Sequence, residues 1–165
     1  DLILNELRRN IIHSLEQKGI EGEQKDGLDI ALVAYHIKSK KIQFAGSNNP
    51  LYLVRNGSKD LNVIEPDTMP VAIYDIMDPF TNHELKLQTG DTIYLSSDGF
   101  GDQFGGPKGK KFMIKKLKQL LAEVSAEEMP RQREILEQTL EDWKFCDGIV
   151  YPQTDDITVM GFRVE

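Results

Sequence analysis

The sequence predicts a mixed α+β domain, and three features of its 165 residues carry that reading. Runs of β-formers lie between short turns, and the Asn56-Gly57 turn between Leu51–Arg55 and Leu61–Glu65 is the strongest hairpin signal in the chain. Apolar residues at helical spacing mark three stretches: residues 2–18, a segment reaching Val124, and a last one ending near Trp143. Between them lies Gly90 to Gly106, GDTIYLSSDGFGDQFGG, which opens with period-two alternation over residues 91–97, the pattern of a buried strand entered through a Gly-Asp turn.

The first element is an amphipathic helix over residues 2–18, with Leu4, Leu7, Ile11 and Leu15 on one stripe, Asp1 as a cap and Gly19 as the stop. His13 lies on it as a lone surface or packing histidine. Glu21 to Lys25 is a polar turn, after which Ile30 to Ile37 reads as a central strand. Lys38 to Lys40 turns the chain into Lys41–Ala45, and Gly46 to Pro50 interrupts the meander. The hairpin follows, with Arg55 as a solvated strand end. From Pro66 to His83 the three prolines predict a long loop, a candidate flap, with His83 inside it. Past the central strand, Gly105 to Gly109 is a flexible link. A helix then places Lys110 and Lys111 in its first turn, against its dipole, and turns Met113, Leu117, Leu120, Leu121 and Val124 inward. Pro130 suits the start of the last helix, whose buried stripe is Leu136, Leu140 and Trp143. Phe145 to Gln153 is a connector, and Ile157 to Val164 is the final strand, with Ile157, Val159, Gly161 and Phe162 in the core.

Composition narrows the function. The apolar share of 39% suffices for one core in a single domain. A net charge of −7 argues against a nucleic-acid-binding surface, which needs clustered Lys and Arg. The one cysteine, Cys146, precludes an internal disulfide framework and suits a reducing compartment, and it receives no catalytic role. No apolar run approaches the roughly 20 residues of a membrane span, and the first residues lack a signal-peptide pattern. A cytoplasmic location is expected, with a parent protein that an upstream region would anchor if it is membrane-bound. No Gly-rich strand-to-helix phosphate loop supports a nucleotide-binding reading.

Chemistry concentrates at two acidic strand ends. Asp98 closes the 91–97 strand before Gly99, which frees the backbone to turn, so its carboxylate stands at the rim of the sheet. An ordinary Asp-Gly turn is the alternative. Asp155 and Asp156 stand at the start of the last strand, and carboxylates from two adjoining strands suit a hard, oxygen-ligated cation.

LSSDGFGDQFGG and QTDDITVMGF, with DGLDIALVAYHI and FAGSNNPLYLVRNG upstream, resemble the metal-dependent protein phosphatases of type 2C, in the bacterial branch similar to sporulation stage II protein E. The resemblance spans Asp26 to Val164. It implies a sandwich of two antiparallel sheets flanked by helices, and two Mn²⁺ or Mg²⁺ ions that activate water to hydrolyse phosphoserine or phosphothreonine. It makes Asp98 and Asp155 metal ligands, with Asp156, Gly99, Asp26 and Asp29 as further metal or outer-shell candidates, although turn chemistry is the preferred reading of Asp26 and Asp29. Lys108, Lys110 and Lys111 are candidate phosphate or substrate contacts, with a solvated lysine face as the default reading. Asn48 stands where relatives have histidine, and in Met69-Pro70-Val71-Ala72 an alanine replaces the usual glycine.

The family's opening Asp-x-x-Gly-His-Gly block has no counterpart here. Residues 1–165 are therefore expected to be the C-terminal part of one phosphatase domain without its first strands, inactive alone and prone to self-association. The function implied is the phosphatase output module of a bacterial signalling protein, driven by an upstream sensor and acting on a phosphorylated protein. The alternative is a non-catalytic binding or scaffold domain of the same fold.

Overall fold

A computed structural model describes residues 1–20 and 26–165 as a mixed α+β fold of several antiparallel sheets and helices. The polar turn expected at Glu21 to Lys25 lies outside the described residues. The chain divides into two compact units, residues 1–51 with 63–87, and residues 52–62 with 88–165.

The first unit opens with α1 (Leu2–Ser14), followed by β1 (Ile30–His36) and β2 (Lys41–Ser47). The hairpin strands β3 (Leu51–Val54) and β4 (Leu61–Ile64) carry the chain out of this unit and back, and β5 (His83–Lys86) completes its sheet, ordered β1-β2-β5. Pairing is antiparallel, Ile30 opposite Ser47 through His36 opposite Lys41, and then Lys41 opposite Lys86 through Phe44 opposite His83. The middle position belongs to β2, and β1, expected to be central, lies at the edge among the described residues. β-rich composition reports that a strand fits a packed surface and does not count its neighbours. His83 is likewise a strand residue, its ring 5.8 Å from that of Phe44, because its partner is 39 positions away and no local pattern announces it.

Helix α1 ends one turn before the expected stop, which leaves Leu15 exposed. Its neighbour Gln17 is buried, donates from Nε2 to the Asp26 carbonyl at 2.6 Å and accepts from the Ile73 N–H at 3.0 Å, tertiary bonds that compete with another helical turn. Residues 66–82 are irregular, as expected, and they are anchored to the core. Met69, Val71 and Phe80 join Leu4 and Ala45 in a buried cluster. The buried Arg8 fastens the segment by donating to the Asp78 carbonyl at 2.8 Å while its guanidinium lies 4.8 Å from the Phe80 ring centre. Side chains thus satisfy backbone groups that a sheet would otherwise satisfy. Ala72 is buried at an ordinary φ, so replacing glycine there strains nothing.

The second unit contains β6 (Thr92–Ser96), α2 (Gly99–Asp102), the short pair β7 (Phe104–Gly105) and β8 (Lys110–Lys111), α3 (Ile114–Val124), α4 (Met129–Lys144), the short pair β9 (Phe145–Cys146) and β10 (Ile149–Val150), and β11 (Val159–Arg163). Its main sheet is ordered β11-β6-β3-β4. The strand expected over 91–97 is β6, buried at Thr92, Ile93, Tyr94 and Ser96. At its entry Asp91 is buried and accepts three bonds, from Arg55 Nη1 at 2.7 Å and from the N–H groups of Asn56 at 2.9 Å and Gln88 at 2.8 Å. Burial pushes this carboxyl up, but the two N–H groups and the guanidinium together outweigh it and hold the pKa below the ordinary value. Arg55 is therefore an ion-pair partner and not merely a solvated strand end.

Lys110 and Lys111 pair with Gly105 and Phe104 as strand β8, so they are not in a helix. The Phe112 N–H donates to Gln103 and the Met113 N–H to Gly101, at 2.9 and 2.7 Å, which extends the ribbon up to Met113. Met113 takes a φ of +75° and points outward, and α3 begins after it with Leu117, Leu121 and Val124 buried. Pro130 sits in the first turn of α4 as expected, but Leu136, Leu140 and Trp143 are only half-buried. Leu136 and Leu140 line an open cleft of about 850 Å³ with Tyr94, Phe100, Ile157 and Val159. The buried anchor of α4 is polar: Gln132 accepts from the Tyr94 hydroxyl at 2.7 Å and donates to the Glu127 carbonyl at 2.8 Å. Burial pushes the Tyr94 pKa up to about 12, which keeps that donor protonated. The connector expected after α4 contains the β9–β10 hairpin, with Asp147 at φ +52° and Gly148 at +78°, the two-residue turn that an Asp-Gly pair favours. β11 is shorter than expected and lies at the sheet edge, so Gly161 and Phe162 are exposed and Val164 is the buried residue at its end.

Candidate metal centre

The two acidic strand ends meet. β11 runs antiparallel to β6, with Val159 opposite Ser96, so the end of β6 lies beside the approach to β11. Ser97 fastens the two. Its N–H donates to the Thr158 carbonyl, and its hydroxyl accepts from the Thr158 N–H and donates to the Asp156 carbonyl, each at 3.0 Å. Asp98 follows Ser97 just past the end of β6 and Asp155 precedes Asp156, and all three carboxylate residues are exposed. The one local sign of this clamp is the polar Ser96-Ser97 pair that closes a buried strand.

Gly99 is required here for a reason other than the one expected. Its φ lies outside the left-handed region, but a Cβ on it would stand 2.4 Å from the Asp156 carbonyl oxygen and 3.2 Å from Ile157 Cγ1. Close approach of the second acidic turn excludes a side chain. Asp98 caps the four-residue α2 by position only, with no side-chain capping bond, while Asp155 Oδ1 accepts from the Asp156 N–H at 2.7 Å and the Asp155 carbonyl accepts from Gln153 Nε2 at 2.8 Å.

Behind the rim, Gln103 is fully buried and ties three segments together. Its Nε2 donates to the carbonyls of Pro152 at 2.9 Å and Phe104 at 3.0 Å, and its own carbonyl accepts from Trp143 Nε1 at 3.1 Å. Among the described residues its Oε1 is buried without a hydrogen-bond partner. Phe112 packs edge-on between Phe100 and Trp143, with ring centres 5.1 and 5.2 Å away. Gly105 lies against α4, where a Cβ would come 2.0 Å from the Trp143 carbonyl oxygen. Nothing local in the sequence marks Gln103, because its partners lie 40 and 49 positions ahead.

Lys108, Lys110 and Lys111 stand exposed on the β7–β8 ribbon. Lys111 Nζ pairs with Asp102 Oδ2 at 2.8 Å, and at this exposure such a pair contributes no more than about 1 kcal/mol. Asp26 and Asp29 belong to the first unit. There the Asp26 carbonyl accepts from Gln17 and Asp29 Oδ1 accepts from Asn48 Nδ2 at 2.7 Å, while Asn48 itself holds a φ of +56°.

The donors at the rim are hard oxygens open to water, the chemistry of Mg²⁺ and Mn²⁺ sites that use one or two carboxylates and fill their remaining positions with water. They fit such a cation as part of a ligand set. Among the described residues no three His, Cys, Asp or Glu side chains converge as a metal-binding group.

A family model described as stage II sporulation protein E matches residues 1–165. Among solved structures, the fold is similar to the SiaA-PP2C domain of Pseudomonas aeruginosa, with a TM-score of 0.82 and 28% identity over 99% of this chain and 60% of that one. It is also similar to the phosphatase domain of the cell fate determinant SpoIIE from Bacillus subtilis, with a TM-score of 0.62 and 14% identity over 99% of this chain and 72% of that one. The serine/threonine phosphatase of S. agalactiae follows, with a TM-score of 0.61 and 16% identity over 98% and 68%. These last two likenesses concern the fold alone. This chain spans less than two thirds of the first structure's length. No curated protein matches it. No helix among the described residues is long and apolar enough to cross a membrane.

Proposed function

Because the chain belongs to the stage II sporulation protein E family and has the fold of its type 2C phosphatase domains, we propose that it serves a protein serine/threonine phosphatase, the output module of a bacterial signalling protein. The observation that supports this most is the fastening by Ser97, which ties the end of β6, next to Asp98, to the backbone of Asp156 and Thr158. In this reading Asp98 and Asp155 hold Mn²⁺ or Mg²⁺, two ions in all, and Asp156 adds charge beside them. Such ions supply Lewis-acid activation of water and neutralise charge on the phosphoryl group. The chain's own residues set the stage. Ser97 and Gly99 fix the spacing of the two acidic turns, Gln103 restrains the approach to the second through Pro152, and the lysines of β7–β8 draw a phosphate dianion toward the rim.

A second reading, a non-catalytic phosphatase-like module, is favoured by the lack of a three-ligand group among the described residues. One experiment separates the two. Hydrolysis of a phosphoserine peptide at millimolar Mn²⁺ is measured for residues 1–165 and for a longer natural polypeptide that contains them. The expected outcome is no turnover by the 165 residues, which hold an ion at about millimolar affinity or weaker, near 4 kcal/mol. Turnover is expected in the longer chain, lost in Asp98→Asn and Asp155→Asn and only reduced in Asp156→Asn. Near-normal turnover in either of the first two variants defeats the site assignment, and an inert longer chain leaves the non-catalytic reading.

A further inference from the structure

We propose that the β7–β8 ribbon and the β9–β10 hairpin form a docking surface for the segment of the phosphoprotein substrate that flanks its phosphorylated residue, a segment bearing apolar side chains next to acidic ones. This rests on the phosphatase reading above. Four large apolar side chains stand out on these two ribbons: Phe104 at 42% exposure, Phe145 at 60%, Ile149 at 52% and Val150 at 71%. Phe145 and Val150 are direct cross-strand partners and share one face, while Ile149 opposes Cys146 on the other. Single exposed apolar residues are ordinary, but four on paired strands only two residues long are a concentration that water does not favour.

The ribbons adjoin. Gly106 N–H donates to the Trp143 carbonyl at 2.8 Å, and Trp143 lies two residues before β9. A Cβ on Gly109, in the turn between β7 and β8, would stand 2.9 Å from the hydroxyl of Tyr151, the residue after β10. The same lobe adjoins the acidic rim. The Asp98 carbonyl accepts from the Asp102 N–H at 3.0 Å, Phe104 follows two residues later, and Gln103 Nε2 bonds to Pro152, three residues before Asp155. A chain whose phosphoryl group reaches Asp98 therefore lays its neighbouring residues across these ribbons.

Charge identifies the occupant. Between Asp102 and Glu123 the sequence has six lysines and no acidic residue, in a chain of net charge −7. Lys116 lies 4.0 Å from the Trp143 ring centre and Lys111 is held by Asp102, while Lys108 and Lys110 are exposed on the ribbon itself. The β9–β10 turn has one acid, Asp147, and the positive charge lies on the β7–β8 ribbon and α3; a basic ribbon beside apolar strands on an acidic protein selects a partner of opposite charge and like hydrophobicity, and repels a basic one.

The test needs neither metal nor phosphate, so it stands apart from the phosphatase assay. Fluorescence anisotropy compares two labelled, unphosphorylated 15-residue peptides on residues 1–165, one alternating Leu and Phe with Asp and Glu, the other built of Ser, Gln and Lys. The acidic apolar peptide is expected to bind at least about tenfold more tightly, and to weaken as salt rises. The surface variants Phe145→Ser with Val150→Ser, and Lys108→Glu with Lys110→Glu, each lose most of that preference while circular dichroism confirms an unchanged fold. Equal affinity for the two peptides, or full binding by both double variants, overturns the proposal. So does sedimentation showing that Phe145 and Val150 instead join two copies of this chain, with no preference between peptides.

Discussion

Replacing Gly99 by alanine adds one methyl group where the two acidic turns touch, and the structure fixes what that methyl must do. It would arrive 2.4 Å from the Asp156 carbonyl oxygen, whereas real Cβ atoms essentially never come within 3.0 Å and ordinary contact begins at 3.4 Å, so the turn must retreat by roughly 0.6 to 1 Å. The obstructing atom is backbone and cannot rotate away, and Ile157 Cγ1 at 3.2 Å blocks part of the escape. Alanine at an ordinary φ lowers the entropy of the unfolded chain, worth about 0.4 to 1 kcal/mol, against an overpacking cost of about 1 to 3 kcal/mol. The expected net loss is modest, about 1 to 2 kcal/mol in urea denaturation, because the retreating turn is exposed. The geometric effect is larger. A displacement near 1 Å in a catalytic constellation can cost on the order of 100-fold. The assay is a ¹⁵N–¹H correlation spectrum of residues 1–165 with and without Mn²⁺. Amides from Asp155 to Thr158 should shift in Gly99→Ala, and their paramagnetic broadening should need several-fold more Mn²⁺. If those amides stay in place and broaden at the same Mn²⁺ concentration as the parent, the two turns are not in contact as described.

Asp91→Ala removes three acceptor contacts from a carboxylate that is 1% exposed; Arg55, at 40%, recovers water, but two backbone N–H groups do not, and a loss of about 3 to 5 kcal/mol is expected in denaturant titration. Because the folded pKa of Asp91 is depressed, the charge-dependent part of its contribution is complete above the unfolded value near 4 and fades as pH falls through the folded one, so the gap between parent and variant should narrow below about pH 4, and a constant gap would count against the ion pair. Gln103→Ala severs the bond to Pro152 and leaves a cavity beneath the second acidic turn; destabilisation of about 2 kcal/mol or more is expected, with faster amide exchange across residues 152–156, and unchanged exchange there would show that Gln103 does not restrain that turn.

The Asn56-Gly57 turn, the alternation of 91–97 and the helical stripes are written locally, within a few residues of one another, and the sequence alone placed β3, β4, β6 and the bodies of all three long helices. Asp98, Asp155 and Asp156 were legible as acids at strand ends because strand ends and charges are both local facts. Their adjacency could be expected from the sequence but not established by it: it depends on β11 pairing with β6 across more than 60 residues and on the Ser97 hydroxyl, which bonds Asp156 and Thr158. The same holds for the elements misread. Lys110 and Lys111 look helical beside Ile114–Val124, yet hydrogen bonds from Phe112 and Met113 to Gln103 and Gly101 hold that stretch extended. Leu15 has the spacing of a helix that Gln17 ends by reaching Ile73, and the prolines of residues 66–82 conceal a segment that fills the core against Leu4. In each case local propensity amounts to a few tenths of a kcal/mol per residue, and a buried contact with a distant partner, worth more than that, decides the outcome. The sequence by itself determined which chemical groups this chain has and which of them close its strands. Only the tertiary structure decided which groups stand together, because proximity between distant residues is a property of packing and not of any stretch of the chain.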